Sequence, residues 1–598
     1  MELMNRLALT ALVVWLVLAG LYATSQPSLG GDLWWTLAAG RHIAETGSVP
    51  ATDVFTYTAQ DRTWHNQEWL AQLTYWALFD SLGPTGLIYT KWMAGLIFAG
   101  LFAWLCVRRS TSFTLGVSTA AIILLLWGHH VDLRAQFFTF FCTVVLLLLL
   151  DAFRKGSRAA AAGIPLLLLL WVDLHYGFIF GLALILGTLG VETAKSLRQW
   201  PAQPMTLQQC RALGWVFIAS AFACTLNPQG FEALVFPFEI LDTSSPWKRI
   251  IEWRPPRLFQ HGPLDAFMIL VGLQVTLAGL VAWRNPGRFD LTDFGMTVVT
   301  AIMAFQSRRF VPLFAIVGAP FLASNLASTL ADTRRKLPSL NTFEKRYGAL
   351  AVSIVAGLAS LAVANTLRTQ GHLSTEDPFA KMTYQDRFPV EATRFLSENQ
   401  ISGNIYNYYP WGGYLSLHLR EPIYSDGRAH AVFPDQIYFE RRKIENLEPG
   451  WARRLARRRT ELVVHPSHQP LPLKLRGQPN WVRIYDDGQA SVLIRRTPQT
   501  KPILERFHAG QLRYPDSPGA EIFLAELDSR TGNPESAVAG LLEVLHRWPN
   551  RGEIALTRKL LIEQAATEFV PDPKAGDSAE SLSEALEVWL TRKEDRNP

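Results

Sequence analysis

Charge is scarce in this sequence. Asp, Glu, Lys and Arg together supply only 18% of its 598 residues, against 49% hydrophobic and 12% aromatic. A soluble globular chain carries more charge. Cysteine is scarce too: Cys106, Cys142, Cys210 and Cys224 are the four present, and all lie in or beside apolar blocks. With none in the C-terminal half, a disulfide framework is excluded there. The net charge of +6 carries no basic stripe with a nucleic-acid fold motif, so no nucleic-acid partner is expected. No small-residue cleavage site follows the first apolar run, "LALTALVVWLVLAGLYAT", so that run is an anchor and not a removed signal.

What is present is a series of apolar blocks up to about Thr369, then soluble-looking sequence. After the anchor, further spans centre on Leu96, Ile122, Val145, Leu168, Leu184, Ile218, Val271, Val299, Ile316 and Val355. The total is about eleven spans. Arg108 with Arg109, "FRKGSR", Lys195 with Arg198, Arg284 with Arg288, and "TRRK" with "EKR" fall on alternate sides, the positive-inside pattern with a cytoplasmic N-terminus. That pattern makes "EWLAQLTYWALFDSLG" an interfacial helix: if it crossed, every later basic loop would invert. The first outer loop, 25–85, and everything after about Thr369 then lie outside the cytoplasm, with membrane lipids around the spans.

Polar residues gather at the outer span ends. The opening loop brings Asp32, Asp53, His65, Asn66 and Glu68, with Trp34, Trp35, Trp64 and Trp69 among them. "GHHVDLRAQ" brings His129, His130, Asp132 and Arg134, "WVDLHYG" brings Asp173 and His175, "IIEWRPP" brings Glu252, and "FQSRRF" brings Arg308 and Arg309. Singly, each reads as a solvated loop residue or an interfacial anchor. Together they describe a hydrated cavity, because ionisable groups at span ends need water or one another. A carboxylate there can take a proton from an attacking hydroxyl, and arginines can hold a phosphate bidentately as a leaving group. Asp32 follows "GG", where the chain turns sharply, and an acid also suits a helix start.

The first loop then carries a resemblance. "GGDLWW", the short helix "TLAAGRHIAETG", "VPATDVFTYT" and "WHNQEWL" resemble the GT-C superfamily of membrane glycosyltransferases, in the branch of protein O-mannosyltransferases and lipid A aminoarabinose transferases. "LWVDLHYGFIFG", "IIEWRPP", "SRRFVPLFAIVGAP", "NIYNYYPWGGYL" and "SDGR" resemble an uncharacterised bacterial group within it, over about residues 1 to 500. The resemblance implies an inverting transfer of a sugar from a polyprenyl-phosphate donor. It implies Asp32 as base, Glu68 as the group that orients the acceptor or helps Asp32, and Arg308, Arg309 and Arg134 on the phosphate; Asp53, another acid of the same loop, is the further catalytic candidate should Asp32 not be the base. Trp34, Trp35, His65, Asn66, Asp173, His175 and Glu252 would line the substrate cavity. "QEW" stands where relatives often have a lysine and proline. Relatives that use a lipid monophosphate imply no cofactor. The oligosaccharyltransferases imply a divalent metal, for which the His/Asp set at 129, 130, 132, 173 and 175 offers ligand types without a specific spacing. A non-catalytic protein that binds a partner or lipid-linked glycan, or a glycolipid transporter, is the alternative.

Past the last span, an amphipathic helix and the β-prone runs "GNIYNYY", "EPIYSD", "ELVVHP", "WVRIYDD" and "ASVLIRR" predict an α/β domain over 369–498. Residues 499–598 read as a short helical, tetratricopeptide-like region that would pack on its neighbour or bind a protein partner. The expectation is a polytopic α-helical membrane protein, GT-C-like over 1–368, with an extracytoplasmic α/β domain and a helical-repeat C-terminus.

Overall fold

Each of the eleven span centres falls within a helix of the computed structural model, which describes residues 2–27, 31–127, 132–200, 204–241, 245–248, 251–256, 266–370, 377–383 and 385–548. His129, His130 and the helix expected near the C-terminus lie outside the described residues. The described chain forms two units: 1–52 with 62–385 and 430–432, and 53–61 with 386–429 and 433 onward.

The first unit is helical: α1 (Glu2–Thr24), α2 (Asp32–Thr46), α3 (Trp69–Ser110), α4 (Phe113–Trp127), α5 (Gln136–Arg154), α6 (Arg158–Leu174), α7 (Phe178–Leu197), α8 (Leu207–Ala223), α9 (Glu232–Leu241), α10 (Ala266–Arg284), α11 (Leu291–Gln306), α12 (Val311–Lys336), α13 (Pro338–Gln370) and α14 (Pro378–Thr383). Among the described residues, seven helices are long and apolar enough to cross a membrane, and α4 and α11 are shorter apolar helices. This is a multi-pass membrane protein. Lipid-facing Leu and Val side chains on α1 and α13 stay exposed, as a bilayer solvent permits. The interior is filled by Leu12, Phe98, Phe102, Phe140, Phe314 and Ile316 in one cluster and by Ile164, Leu168, Trp171, Phe178 and Ile185 in another.

Local chemistry sets the helix ends. α2 stops at Gly47, whose left-handed φ of 68° lets its N–H close back on Ile43. α3 breaks at Gly83 (φ 72°) before Pro84, which separates the tempting "EWLAQLTYWALFDSLG" helix from the span centred on Leu96. Ser157 caps α6 by accepting from the Ala160 N–H, and Asp290 caps α11 by accepting from Thr292 and Asp293.

Ion pairs join the C-terminal ends of α3, α5 and α7 to the start of α11. At one end Arg108 and Arg109 of α3, Asp151 and Arg154 of α5, Glu192 and Lys195 of α7 and Asp290 and Asp293 at α11 form a continuous ionic network. Arg108 meets Asp151 at 2.6 Å, Arg154 meets Glu192 at 2.8 Å and Asp290 at 2.8 Å, Lys195 meets Glu192 at 2.8 Å, and Arg109 bonds Asp293. Arg108, Arg109, Arg154 and Lys195 come from three of the expected basic loops, and this network brings them together.

The second unit holds α15 (Val390–Glu398), β1 (Ile405–Asn407), α16 (Gly412–Leu419), α17 (Asp435–Glu445), α18 (Trp451–Arg457), β2 (Leu462–Pro466), α19 (Pro470–Arg476), β3 (Trp481–Asp486), β4 (Ala490–Arg495), α20 (Lys501–His508), α21 (Pro518–Arg530) and α22 (Pro534–Arg547). The sheet order is β1-β2-β4-β3, with β1 parallel to β2 and the other pairs antiparallel. Val463, Val464, Val492 and Leu493 are fully buried in it. α21 and α22 pack as a hairpin through Ile522, Ala525, Ala537, Leu541 and Leu545.

Segment 53–61, from the first outer loop, belongs to this second unit. Ile423 bridges Ile405 of β1 on one side and Thr56 on the other, with Tyr57 N–H donating to the Ile423 carbonyl at 3.2 Å and Ile423 N–H to Phe55 at 3.1 Å. Arg428 locks it: its guanidinium meets Asp53 at 2.8 Å and Asp426 at 2.7 Å, with all three side chains buried.

Candidate functional site

The end of the helical bundle opposite the ionic network carries most of the expected site. α2 and the first turn of α3 cross so closely there that a Cβ on Gly40 would sit 2.1 Å from the Gln72 carbonyl oxygen. That approach sets the start of α2, with Asp32, against the start of α3, with Glu68.

Asp32 is the first residue of α2. Gly31 occupies the cap position, and no side-chain cap bond forms. The Asp32 carboxylate instead accepts from Trp35 Nε1–H at 3.2 Å and lies 3.3 Å from Arg134 Nε. Arg134, just before α5, also meets Asp132 at 3.4 Å and Glu252 at 2.8 Å. Burial works against the Arg134 charge, and the three carboxylates more than offset it, holding its pKa above the usual value. The structure interleaves acids and a guanidinium here.

Glu68 caps the chain entry to α3 without a cap bond. Its carboxyl is pushed up to about 8 by burial, with Arg309 pulling it down and Asp32 adding to the rise. It is therefore mostly protonated at neutral pH. His175 Nε2 lies 3.5 Å from it. His175, buried between α6 and α7, is pushed down to about 3 by burial, with Arg309 lowering it further. Asp173 accepts from Trp69 Nε1–H at 2.8 Å.

The rest of "WHNQEW" is pinned to its surroundings. The His65 ring lies 4.3 Å from Phe236 with Glu232 at 3.5 Å, and its carbonyl accepts from the Tyr176 hydroxyl at 2.8 Å. Asn66 and Gln72 exchange two amide hydrogen bonds, at 2.8 and 2.6 Å. Gln67 donates to the Ala233 carbonyl. Trp34 is buried edge-on against Phe379, which makes it a packing residue of this unit. Asp53 is in the other unit, its carboxylate engaged by Arg428, the Phe55 and Thr56 N–H groups and the Thr56 hydroxyl.

Beside Glu68 and His175 lies an apolar cavity of about 230 Å³. Its walls are Phe140 of α5, Ile179, Phe180, Ala183 and Leu184 of α7, Pro237 of α9, Met296, Val299 and Met303 of α11, and Phe310 with Leu313. Its polar lining is Gln136, Thr139, His175, Tyr176, Thr300 and Arg309. The Arg309 guanidinium stacks on the Trp253 ring at 5.0 Å, and among the described residues it has no carboxylate ion pair. Arg308 is not among the lining residues, and its backbone N–H donates to the Arg254 carbonyl. Thr139 and Trp253 were missed in the sequence, since a lone Thr inside "QFFTFF" and a Trp near an interface carry no distinguishing pattern.

No cluster of three His, Cys, Asp or Glu is placed to hold a metal ion among the described residues.

Fold and site together define a multi-pass membrane protein with an acid–guanidinium cluster and an apolar cavity at one end of its bundle. No protein-family model and no curated protein matches the sequence. Among solved structures, the chain is similar to the Archaeoglobus fulgidus oligosaccharyltransferase tethered with an acceptor peptide, at 14% identity over 76% of this chain and 68% of that one, TM-score 0.49. It is similar to the archaeal oligosaccharyltransferase AglB from the same organism, solved with an inhibitory peptide and a dolichol-phosphate, at 13% identity over 97% and 86%, TM-score 0.49. It is also similar to ArnT from Cupriavidus metallidurans bound to undecaprenyl phosphate, at 14% identity over 82% and 98%, TM-score 0.43. These are loose likenesses, each at a TM-score below 0.5.

Proposed function

We propose that the chain is a membrane glycosyltransferase that moves a sugar from a polyprenyl-phosphate donor to an acceptor on the extracytoplasmic face of a bacterial inner membrane. The observation that carries this reading is Arg309. Its charge stands at the polar edge of an apolar cavity with no carboxylate pair among the described residues, while Arg134 nearby is neutralised by three. A cation at the head of an apolar slot fits a lipid phosphate, whose chain enters the slot and whose anion meets the guanidinium. In this reading Asp32 is the base that takes the acceptor's proton, and Arg309 stabilises the phosphate as it leaves. Glu68, protonated at neutral pH, donates a hydrogen bond to the acceptor or to the sugar–phosphate oxygen. Arg134 organises Asp32, and Arg308 and Asp53 act through the fold.

The test is binding of undecaprenyl phosphate to the full chain in nanodiscs. Arg309→Gln is expected to lose about 2–4 kcal/mol, a factor of roughly 30 to 1,000 in Kd. Arg308→Gln is expected to change Kd by less than about threefold. Unchanged binding in Arg309→Gln refutes the assignment.

A further inference from the structure

We propose that His175 is a positioning residue, a neutral imidazole locked in its Nε2–H tautomer by Gly177 and Thr139, which holds the Glu68 carboxyl in the site. It gives Glu68 its geometry, and it rests on the function proposed above only for the task that Glu68 then performs.

The tautomer follows from obligate donors. The backbone N–H of Gly177 points at His175 Nδ1 at 3.0 Å and can only donate. Nδ1 is therefore an acceptor and carries no proton. The Thr139 hydroxyl, 2.7 Å from the same nitrogen, must then donate as well. That hydroxyl is oriented in turn by Trp171 Nε1–H, which donates to its oxygen at 3.1 Å. The single ring proton is left on Nε2, the atom that faces Glu68 Oε1 at 3.5 Å. This separation is long, and contacts of this kind tighten when substrate closes a site.

The packing is specific to this arrangement. A Cβ on Gly177 would meet the Thr139 hydroxyl oxygen at 2.0 Å, so only glycine lets the 177 N–H and the 139 hydroxyl converge on one nitrogen. His175, Thr139 and Trp171 are all buried. Burial and the nearby Arg309 both disfavour an imidazolium, so the ring stays a neutral donor. The same tautomer has a second consequence. With Nδ1 accepting two hydrogen bonds and Nε2 protonated, His175 has no lone pair to offer a metal ion, which removes it from the ligand set considered from sequence.

The experiment is nuclear magnetic resonance of the full chain in nanodiscs, with 15N-labelled histidine and 13C-labelled glutamate. His175 is assigned by its loss in His175→Gln, and Glu68 by its loss in Glu68→Gln. At pH 7 the expected His175 spectrum is that of a neutral Nε2–H ring, with the Nδ1 signal shifted in Thr139→Val and restored in Thr139→Ser. The Glu68 carboxyl signal should shift in His175→Asn. It should return towards its original position in His175→Gln, whose amide N–H reaches where Nε2–H stood. An Nδ1–H ring or an imidazolium at pH 7 overturns the tautomer. A Glu68 signal indifferent to His175→Asn overturns the positioning role. Neither readout depends on sugar transfer or on lipid binding, so failure here is distinguishable from failure of the proposed function.

Discussion

Replacing Arg428 by Met should release segment 53–61 from the second unit. The Arg428 side chain is 1% exposed and Asp53 is fully covered; Asp426 is equally buried. Arg428 bonds Asp426 through two nitrogens, at 2.9 and 2.7 Å, and reaches Asp53 at 2.8 Å with a third. Met preserves most of the volume and removes the only cation that pairs with these acids among the described residues. Two buried carboxylates then face each other unpaired, and breaking a buried pair in this way costs about 3–5 kcal/mol. The lower end applies, because three backbone N–H groups remain on the carboxylates: Phe55 and Thr56 on Asp53, and residue 428 on Asp426.

The amides that report this are Tyr57 and Ile423, which join segment 53–61 to the strand-like turn at Ile423. A loss of about 3 kcal/mol corresponds to exchange roughly 150-fold faster at those amides if they open locally. Hydrogen-exchange mass spectrometry on the full chain in nanodiscs measures it. Arg428→Lys, which keeps charge but not the fork, should fall between wild type and Met. Asp53→Asn should accelerate exchange much less, because it removes one of the two acids that share the cation. An Arg428→Met protein whose 53–61 and 423 amides exchange within about threefold of wild type would refute the reasoning.

Three further outcomes are expected. Asp32→Asn should cost at most about 1 kcal/mol of stability, since no cap bond is lost, and should lower transfer by about 100- to 10,000-fold; full transfer removes Asp32 as base. For Glu68, the folded pKa of about 8 is above its unfolded value, so the folded state holds a proton that the unfolded state gives up. Its contribution is fully present below the ordinary Glu pKa and is lost as pH rises through about 8, so Glu68→Gln should raise Tm more at pH 8.5 than at pH 5; an equal shift at both refutes the buried acid. A cysteine at exposed Gln60 should react with an impermeant thiol reagent from outside and one at exposed Ala159 should not, against a background of four buried native cysteines; reversed labelling inverts the orientation.

The membrane half was legible because its signal is local. An apolar run of span length has no other stable use, and the Gly83–Pro84 break in α3 is written in the dipeptide itself. The start of α2 at Asp32 was legible for the same reason, from "GG" followed by an acid. What stayed hidden depends on partners distant in sequence. Asp53 reads as another acid of the outer loop until Arg428 is seen to take it into the second unit. Arg134 and Arg309 are equivalent as letters, and the placement of Asp32, Asp132 and Glu252 separates a neutralised guanidinium from one without an ion pair among the described residues. Thr139 looked like an ordinary polar residue in a span, because its partner His175 arrives from another helix end.

The ionic network at the opposite end of the bundle bears on the site through geometry. Buried ion pairs return little net stability, since desolvation offsets their attraction. Their use here is to fix relative positions: α3, α5, α7 and α11 are joined by Arg108, Arg109, Asp151, Arg154, Glu192, Lys195, Asp290 and Asp293. The other ends of α5 and α7 start beside Arg134 and His175, and α11 ends just before Arg309. A helix of about 20 residues is about 30 Å long, so a tilt of about 5° at the network moves the far end by roughly 2.6 Å. Catalytic groups lose about 100-fold when misplaced by about 1 Å. A network that suppresses such tilts therefore protects the alignment of Arg134, His175 and Arg309 from a distance, and the same argument gives a use to its pairs that join different helices, such as Arg108 with Asp151 and Arg154 with Glu192.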